Sequence, residues 1–179
     1  ACHHLLGMIL NILMKANKAR ISSLYFKNSH TNGHTLHRIR AVRKITDPNV
    51  EGWVINEGDL GGWIESEKNL SHEGAAWVDG EAYVYGDAKV YDNGYVTGDA
   101  EVYDNAVVCG NAQVRGEAQV YDCAKVYDDA QVYGDAKVYD FARVYYNAKV
   151  YDNAKVCGAA EVRDNARVYG DAEVCGGAE

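Results

Sequence analysis

Valine occupies every sixth position from Val78 to Val174, seventeen times in succession. Alanine stands two residues before each of these valines, and Gly94 is the single exception. A six-residue period matches neither the 3.6-residue turn of a helix nor the simple alternation of a long strand. A short fixed period of this kind is typical of a solenoid, in which every repeat is one structural unit stacked on its neighbours.

Each six-residue unit predicts one short strand followed by one corner. Alanine and valine are two residues apart, so they face the same side of a strand, while the polar residue between them and the following tyrosine face the other side. The alanine and valine side is therefore the expected core. Glycine, aspartate and asparagine in the last two positions favour tight corners. A representative unit is Ala88-Lys89-Val90-Tyr91-Asp92-Asn93.

The units are expected to coil rather than to fold back as hairpins. A two-residue corner after every short strand would leave an antiparallel meander with almost no core, whereas coiling stacks each unit on an earlier one as a parallel strand. The only proline, Pro48, precedes the repeats, which suits a ladder that needs every interior amide. The sequence therefore predicts an all-β parallel solenoid.

The repeat resembles that of the hexapeptide-repeat, left-handed β-helix superfamily. Val84 and Ala88 match the first and fifth positions of its pattern, aliphatic, small, x, x, small, x, whereas Tyr85 departs from the small second residue. The resemblance implies a single-stranded left-handed parallel β-helix with three hexads in each triangular coil of 18 residues. We also expect a short N-terminal helix or strand as a cap.

Counting backwards by six extends both columns into a degenerate region. Residues 54–179 would then form seven coils. The chain divides into an N-terminal segment (1–35), a strand with degenerate first coils (36–75) and the regular hexapeptide-repeat β-helix (76–179). Because the sequence stops within a repeat, we expect a C-terminal truncation. The extended alanine column contains Leu70 and Ile64, and the extended valine column contains His72, Ser66, Leu60 and Val54.

A closer resemblance lies just before the regular repeats. Residues 58–71, followed by Ala76-Trp77-Val78 and preceded by a strand over 36–41, look like the opening of uncharacterised bacterial and prophage hexapeptide-repeat proteins. These relatives are often labelled putative transferases from the repeat alone, and the resemblance covers about residues 36–179. It is specific for the family and says little about activity.

Charge is divided unevenly along the chain. The first 46 residues contain eight basic and no acidic side chains, while the remainder has a net charge of −16. We expect no nucleic-acid binding by the rod, although the basic N-terminal segment could dock on nucleic acid, on a membrane surface or on the rod itself. The apolar stretch 5–14 is too short to span a bilayer and lacks the flanks of a signal peptide. Residues 1–35 are either a capping helix or non-native sequence.

Five cysteines in no framework spacing favour reduced thiols and a cytoplasmic location. Cys157 and Cys175 are 18 residues apart and are therefore expected to stack on one face. They could form a disulfide, but filling of a column by two free cysteines is the favoured interpretation.

Tyrosines recur at a spacing of 18, and two interpretations stay open. Tyrosine favours strands and gains from stacking on its column neighbours. An exposed aromatic wall could instead bind another subunit or a sugar. The candidate partner-binding residues are Tyr85, Tyr103, Tyr121 and Tyr139 in one column and Tyr133, Tyr151 and Tyr169 in another.

Two polar columns are predicted at the corners. Asn93, Asn111 and Asp129 begin a column that we interpret as a structural amide ladder. Solvated corners are the favoured interpretation of the acidic column, and bound cations or a basic partner are weaker hypotheses. The acidic column contains Glu81, Asp99, Glu117 and Asp135.

Little in the sequence indicates catalysis. The enzymes of the superfamily, acyltransferases and carbonic anhydrases, rely on histidines, and residues 76–179 contain none. His72, in the expected valine column, is interpreted as a packed histidine, with a weaker hypothesis that it is a catalytic base. We expect no cofactor and no metal site of the zinc type, which needs several converging ligands.

These observations favour a non-enzymatic structural or scaffold solenoid. We expect it to self-associate, laterally or end to end and with a trimer among the options, or to bind a partner through its flat tyrosine-rich faces. The alternatives are an acyltransferase-like enzyme that uses His72 and a binding module that uses the acidic corner column.

Overall fold

The computed structural model describes residues 19–21, 33–47 and 51–177, which form short β-strands and one 3₁₀ helix at Glu67–Asn69. The first five strands are β1 (Ala19–Ile21), β2 (His37–Ala41), β3 (Ile45–Thr46), β4 (Val54–Ile55) and β5 (Leu60–Ile64). The two-residue strands that follow are β6 (Trp77–Val78), β7 (Tyr83–Val84), β8 (Lys89–Val90), β9 (Tyr95–Val96), β10 (Glu101–Val102), β11 (Val107–Val108), β12 (Gln113–Val114), β13 (Gln119–Val120), β14 (Lys125–Val126), β15 (Gln131–Val132), β16 (Lys137–Val138), β17 (Arg143–Val144), β18 (Lys149–Val150), β19 (Lys155–Val156), β20 (Glu161–Val162), β21 (Arg167–Val168) and β22 (Glu173–Val174).

From β6 onward every third strand joins the same parallel sheet, so the chain is a three-sided solenoid. The first face consists of β5, β7, β10, β13, β16, β19 and β22. The second face consists of β8, β11, β14, β17 and β20, and the third of β6, β9, β12, β15, β18 and β21. Val108 pairs in parallel with both Val90 and Val126, which confirms the predicted stacking of residues 18 apart.

The core is the predicted double column of small and aliphatic side chains. Ala82, Val84, Ala130 and Val132 are fully buried, and the same holds for nearly all alanines and valines of the repeat. From Tyr83 onward the residues between them, such as Lys125, face outward and are partly or fully exposed, whereas Trp77 in the first repeat is buried. Valine beside alanine fits a narrow dry interior, where each rung must leave room for the one above it.

The corners use left-handed backbone at the first of their two residues. That position is glycine in most units and aspartate in most of the others, for example Gly134 at φ +71 and Asp140 at φ +58. Most aspartates there bond the next coil; Asp140 Oδ2, for example, accepts a hydrogen bond from the Gly158 amide at 2.9 Å. The carboxylate thus compensates for the unfavourable φ that a side chain otherwise makes costly.

The N-terminal end of the first face is covered by β2, which pairs antiparallel with β1 and β5. Arg38 on β2 donates to Glu81 Oε1 at 2.7 Å and to the Gly61 carbonyl at 2.8 Å. The Trp63 indole donates to the other Glu81 oxygen at 3.0 Å, and the Arg38 guanidinium lies 5.2 Å from the Trp63 ring centroid. These contacts fix the cap on the first coil.

The first coil differs from the one predicted by counting backwards. Val54 lies in β4, which pairs antiparallel with β3, so the solenoid has about six turns rather than seven. Ile64 pairs with Val84 and Leu70 bridges to Val90, so both belong to the valine column rather than to the alanine column. These pairs are 20 residues apart instead of 18.

The extra two residues are His72 and Glu73. Ser71 donates its amide to the Val90 carbonyl, as the residue after each valine does in the regular coils, and Trp77 donates to the Gly94 carbonyl, which is the regular bond before each valine. His72 and Glu73 therefore bulge out between matched rungs. The predicted inward placement of His72 in the valine column is wrong, because the insertion shifts it into a corner, where 26% of its side chain is exposed.

Candidate interaction surface

Tyrosines directly follow the inward valines and stack between coils as ladders. We call Tyr85, Tyr103, Tyr121 and Tyr139 the first ladder; its ring centroids are 4.9–5.1 Å apart and its planes within 2° of parallel. This spacing is in the range of offset-stacked aromatic pairs, each of which stabilises by about 0.5–1.5 kcal/mol beyond burial. The stacking interpretation is thus supported on this column.

The other two faces carry shorter ladders. In the second ladder Tyr127 stacks on Tyr145 at 4.9 Å, and in the third ladder Tyr133 stacks on Tyr151 at 5.0 Å and Tyr151 on Tyr169 at 5.3 Å. The Arg115 guanidinium lies 4.6 Å from the Tyr133 ring centroid. Arginine therefore continues the third ladder by a cation–π contact.

The tyrosines differ in how much of the ring a partner could reach. Tyr85 is buried beneath His34, whose ring lies 5.0 Å away, and it packs with Leu36 and Trp63. Tyr169, in contrast, is 58% exposed. Of the predicted partner-binding residues, Tyr85 therefore serves the cap, while the remaining six are partly or largely accessible.

Burial and nearby carboxylates raise the pKa of several ladder hydroxyls. Burial, followed by the negative charge of Glu101, raises the pKa of Tyr85. Burial also comes first among the causes that raise the pKa of Tyr103. At the second ladder, the hydrogen bond that Tyr145 donates to Glu161 at 2.9 Å raises the pKa of its phenol. Tyr85, Tyr103 and Tyr145 therefore present neutral hydroxyl groups at physiological pH.

One member of the acidic corner column, Glu81, is already bonded to residues of the cap and the first coil. Both carboxylate oxygens of Glu81 accept hydrogen bonds, from Arg38 and Trp63. Asp99, Glu117 and Asp135 are exposed along the same corner. A cation- or partner-binding role for these three stays a prediction, without the support of Glu81.

The amide column does connect coils as predicted. Asn93 donates from its side chain to Asn111 Oδ1 at 3.0 Å, and Asn111 donates to Asp129 Oδ1 at 2.9 Å. Asn93 and Asn111 also line a cleft of about 250 Å³ against the edge-on pair Trp53 and Tyr95. Since the amides of the cleft already bond each other, their role there is structural.

A disulfide joins Cys157 and Cys175, which lie above the first ladder in the same column. The expectation that these two cysteines are merely stacked free thiols is wrong, because stacked rungs place their Cα atoms 4.5 Å apart, within bonding reach. Cys109 and Cys123 are free and partly exposed. Within the described ranges, the one group of donors close enough to share an ion is Cys157, Glu173 and Cys175, and its sulfurs are occupied by the disulfide.

His72 lies beside Glu67, with Nε2 at 3.8 Å from Oε2. Its carbonyl accepts a hydrogen bond from Arg43 at 3.3 Å. His72 belongs to the two-residue insertion, the one break in register that β-pairing reveals in the coil, and Glu67 lies in the 3₁₀ helix that precedes it. The separation is longer than the 2.6–3.2 Å of an acid–base hydrogen bond.

Sequence reasoning missed two exposed aromatic residues at the corners of the second face. Phe141 is 69% exposed and Tyr146 is 51% exposed. Both replace a polar or small residue of the repeat, so a comparison of each unit with its neighbours 18 residues away would have found them.

The described ranges contain no helix with the length and apolar character needed to cross a bilayer. Neither a scan against models of protein families nor a search of curated proteins finds a match to this chain.

Proposed function

We propose that this chain is a non-enzymatic scaffold, a stiff rod that self-associates laterally through at least one of its tyrosine-bearing faces. The observation that carries the proposal is the set of three stacked tyrosine ladders, one at the edge of each face. Aromatic side chains that are already ordered by stacking lose little conformational entropy on binding, so a ladder is a preorganised contact surface.

The polar positions of the repeat support a structural role. Aspartates at the corners bond the coil above them, as Asp122 does to the Asp140 amide at 3.2 Å. Side-chain amides do the same, as Asn153 does to Asp171 at 3.0 Å. These side chains stabilise the stack itself and hold its faces regular, which is what a scaffold requires.

The direct test compares one variant for each ladder by light scattering. We expect the wild-type chain to associate, and we expect one of three variants to weaken association. The variants are Tyr121 and Tyr139 to Ser, Tyr127 and Tyr145 to Ser, and Tyr133 and Tyr151 to Thr, the residue that Thr97 already supplies in that column. A monodisperse wild-type monomer, or three ladder variants that associate as the wild type does, would contradict the proposal.

The proposal extends to family and location. We infer membership of the hexapeptide-repeat superfamily with a left-handed coil, close to its bacterial and prophage proteins, from the valine and alanine columns around Val84 and Ala88. A cytoplasmic location stays a prediction, and the disulfide between Cys157 and Cys175 favours an oxidising compartment instead.

An acyltransferase-like activity is the second candidate, because His72 lies on the two-residue insertion beside Glu67 of the preceding 3₁₀ helix. Histidine acting as a base would remove a proton from the acceptor of an acyl group. Turnover of acetyl-CoA by the wild type that is lost in His72→Ala would support this candidate. The absence of turnover with a range of amine and hydroxyl acceptors would count against it.

A further inference from the structure

Two residues of one coil depart from the repeat, and both flank the same strand. Phe141 precedes β17 at a corner position that is Asn105 two coils earlier. Tyr146 follows β17 at a position that is Asp128 one coil earlier and Asp164 one coil later. The second face is thus bordered by an aromatic side chain on both edges at the same level of the rod.

Tyr146 occupies this position against its conformational preference. Its φ is +55, and every other non-glycine residue with positive φ in the described ranges is an aspartate. The neighbouring Asp128 uses its carboxylate to accept the Tyr146 amide at 3.1 Å, a bond that a phenol ring cannot continue upward. A bulky residue in left-handed backbone is an outlier that points to a functional role rather than to the needs of the coil.

The surface between the two aromatic residues has the composition of a binding hot spot. Arg143 projects from β17 and pairs with Glu161 at 3.0 Å. Tyr145 donates to the same Glu161 and lies 5.0 Å from the tilted ring of Tyr146. Phenylalanine, tyrosine and arginine, held in place and yet exposed, are enriched at the centres of protein interfaces.

Charge on the second face indicates what would cover it. Lys89, Lys125 and Arg143 form an exposed basic stripe along the face, which Val107 interrupts and Glu161 ends. Exposed carboxylates border that stripe at both corners, namely Asp87 and Asp104 on one edge and Asp92, Asp129 and Asp164 on the other. A second copy that is related by a two-fold axis and displaced sideways places its acidic edge over the basic stripe of the first copy. By the same symmetry, the acidic edge of the first copy covers the basic stripe of the second.

We propose that the second face, at the level of Phe141, Arg143 and Tyr146, docks the same face of a second copy of this chain. This inference rests on the proposed self-association and assigns it to one surface. It also gives a reason for two exposed aromatic side chains at corners of the same coil.

The test uses the full chain and variants that restore the repeat. Phe141→Asn with Tyr146→Gly introduces residues that Asn105 and Gly110 already supply in the same columns, and it leaves the net charge unchanged. Tyr169→Thr is the matched control, because it removes an equally exposed aromatic ring from the third face. Concentration-dependent light scattering gives the dissociation constant, and thermal melting reports the fold.

We expect the double variant to raise the dissociation constant by about tenfold or more. It should melt at the same temperature as the wild type or higher, because glycine adopts the left-handed backbone of this corner without the strain that tyrosine suffers there. The Tyr169→Thr control should associate like the wild type. A monomeric wild type would overturn self-association as a whole, whereas an associated wild type with an equally associated double variant, or an equal loss in the control, would overturn only the assignment to the second face.

Discussion

At the scale of single residues, the corner position with positive φ determines which side chains the repeat accepts. Glycine is free of strain there, and aspartate offsets its strain with a bond to the next coil, as Asp152 does to the Gly170 amide at 3.1 Å. The sequence indicated corners at these dipeptides. It did not indicate that only the first residue is left-handed, because asparagine and aspartate are acceptable at both corner positions on conformational grounds.

Replacing Asp140 should separate the two contributions. Asp140→Ala loses the bond to the Gly158 amide and keeps the left-handed strain, so we expect a loss of about 1–2 kcal/mol in the free energy of unfolding. Asp140→Gly loses the bond but relieves the strain and should cost less. Chemical denaturation measures both, and Asp135→Ala, at the second corner position, should stay within about 0.5 kcal/mol of the wild type. Equal stability of the alanine and glycine variants would contradict this account.

Tyrosine ionisation should destabilise the rod at alkaline pH. Burial and the hydrogen bond from its hydroxyl to Asp79 raise the pKa of Tyr95 from 10.0 to about 12. A pKa that is higher in the folded state stabilises the protein fully below pH 10, and this stabilisation is lost as the pH rises from 10 through about 12. Tyrosinate absorbance and circular dichroism followed together should show late ionisation that coincides with unfolding. Ionisation of all tyrosines near their ordinary pKa in a folded rod would disprove the proposed environment.

At the scale of elements, the strands of the regular coil could be predicted and the first coil could not. A strict period gave the position of every strand from β6 onward, because valine and alanine mark the inward side in each unit. His72 and Glu73 are ordinary polar residues, so nothing in their composition reveals that they are an insertion. The shift of register is shown by the pairing of Ile64 with Val84 and of Leu70 with Val90.

Glycine at the start of the solenoid has a packing reason that composition alone does not reveal. Gly62 precedes Trp63 as Ala82 precedes Tyr83, and a Cβ at Gly62 would lie 2.7 Å from the Ala82 carbonyl and from Val78 Cγ1. The first rung is thus too close to the next for even an alanine. This close approach explains why the first rung has glycine at a position where the regular coil has alanine.

The disulfide should hold the last described coil to the one below it. Cys157 and Cys175 close a loop of 18 residues, for which chain entropy predicts a stabilisation of about 3 kcal/mol. The unreduced, denatured chain should contain two fewer reactive thiols than the reduced chain. Reduction of the disulfide should also accelerate amide hydrogen exchange in β22. The control substitution Cys123→Ser, at a free cysteine, should leave the exchange rate in β22 unchanged. Equal thiol counts before and after reduction would contradict the pairing.

At the scale of the whole molecule, the repeat determines the architecture, whereas the proposed interaction surface is formed by residues that depart from the repeat. The sequence predicted a dry core and outward aromatic columns, because these follow from which way each repeated side chain points. The three sheets were implied by the resemblance to hexapeptide-repeat proteins. It did not predict how much of each ring is exposed, since that depends on neighbouring coils and on the cap that buries Tyr85. The residues that most favour an interface, Phe141 and Tyr146, are those that break the period.

Sedimentation of the purified wild-type chain over a wide concentration range tests the proposed scaffold most directly. The chain has a mass of 19.7 kDa, and we predict a species of at least twice this mass whose population grows with concentration. A single species of 19.7 kDa at every concentration would contradict self-association and with it the role proposed for the tyrosine-bearing faces.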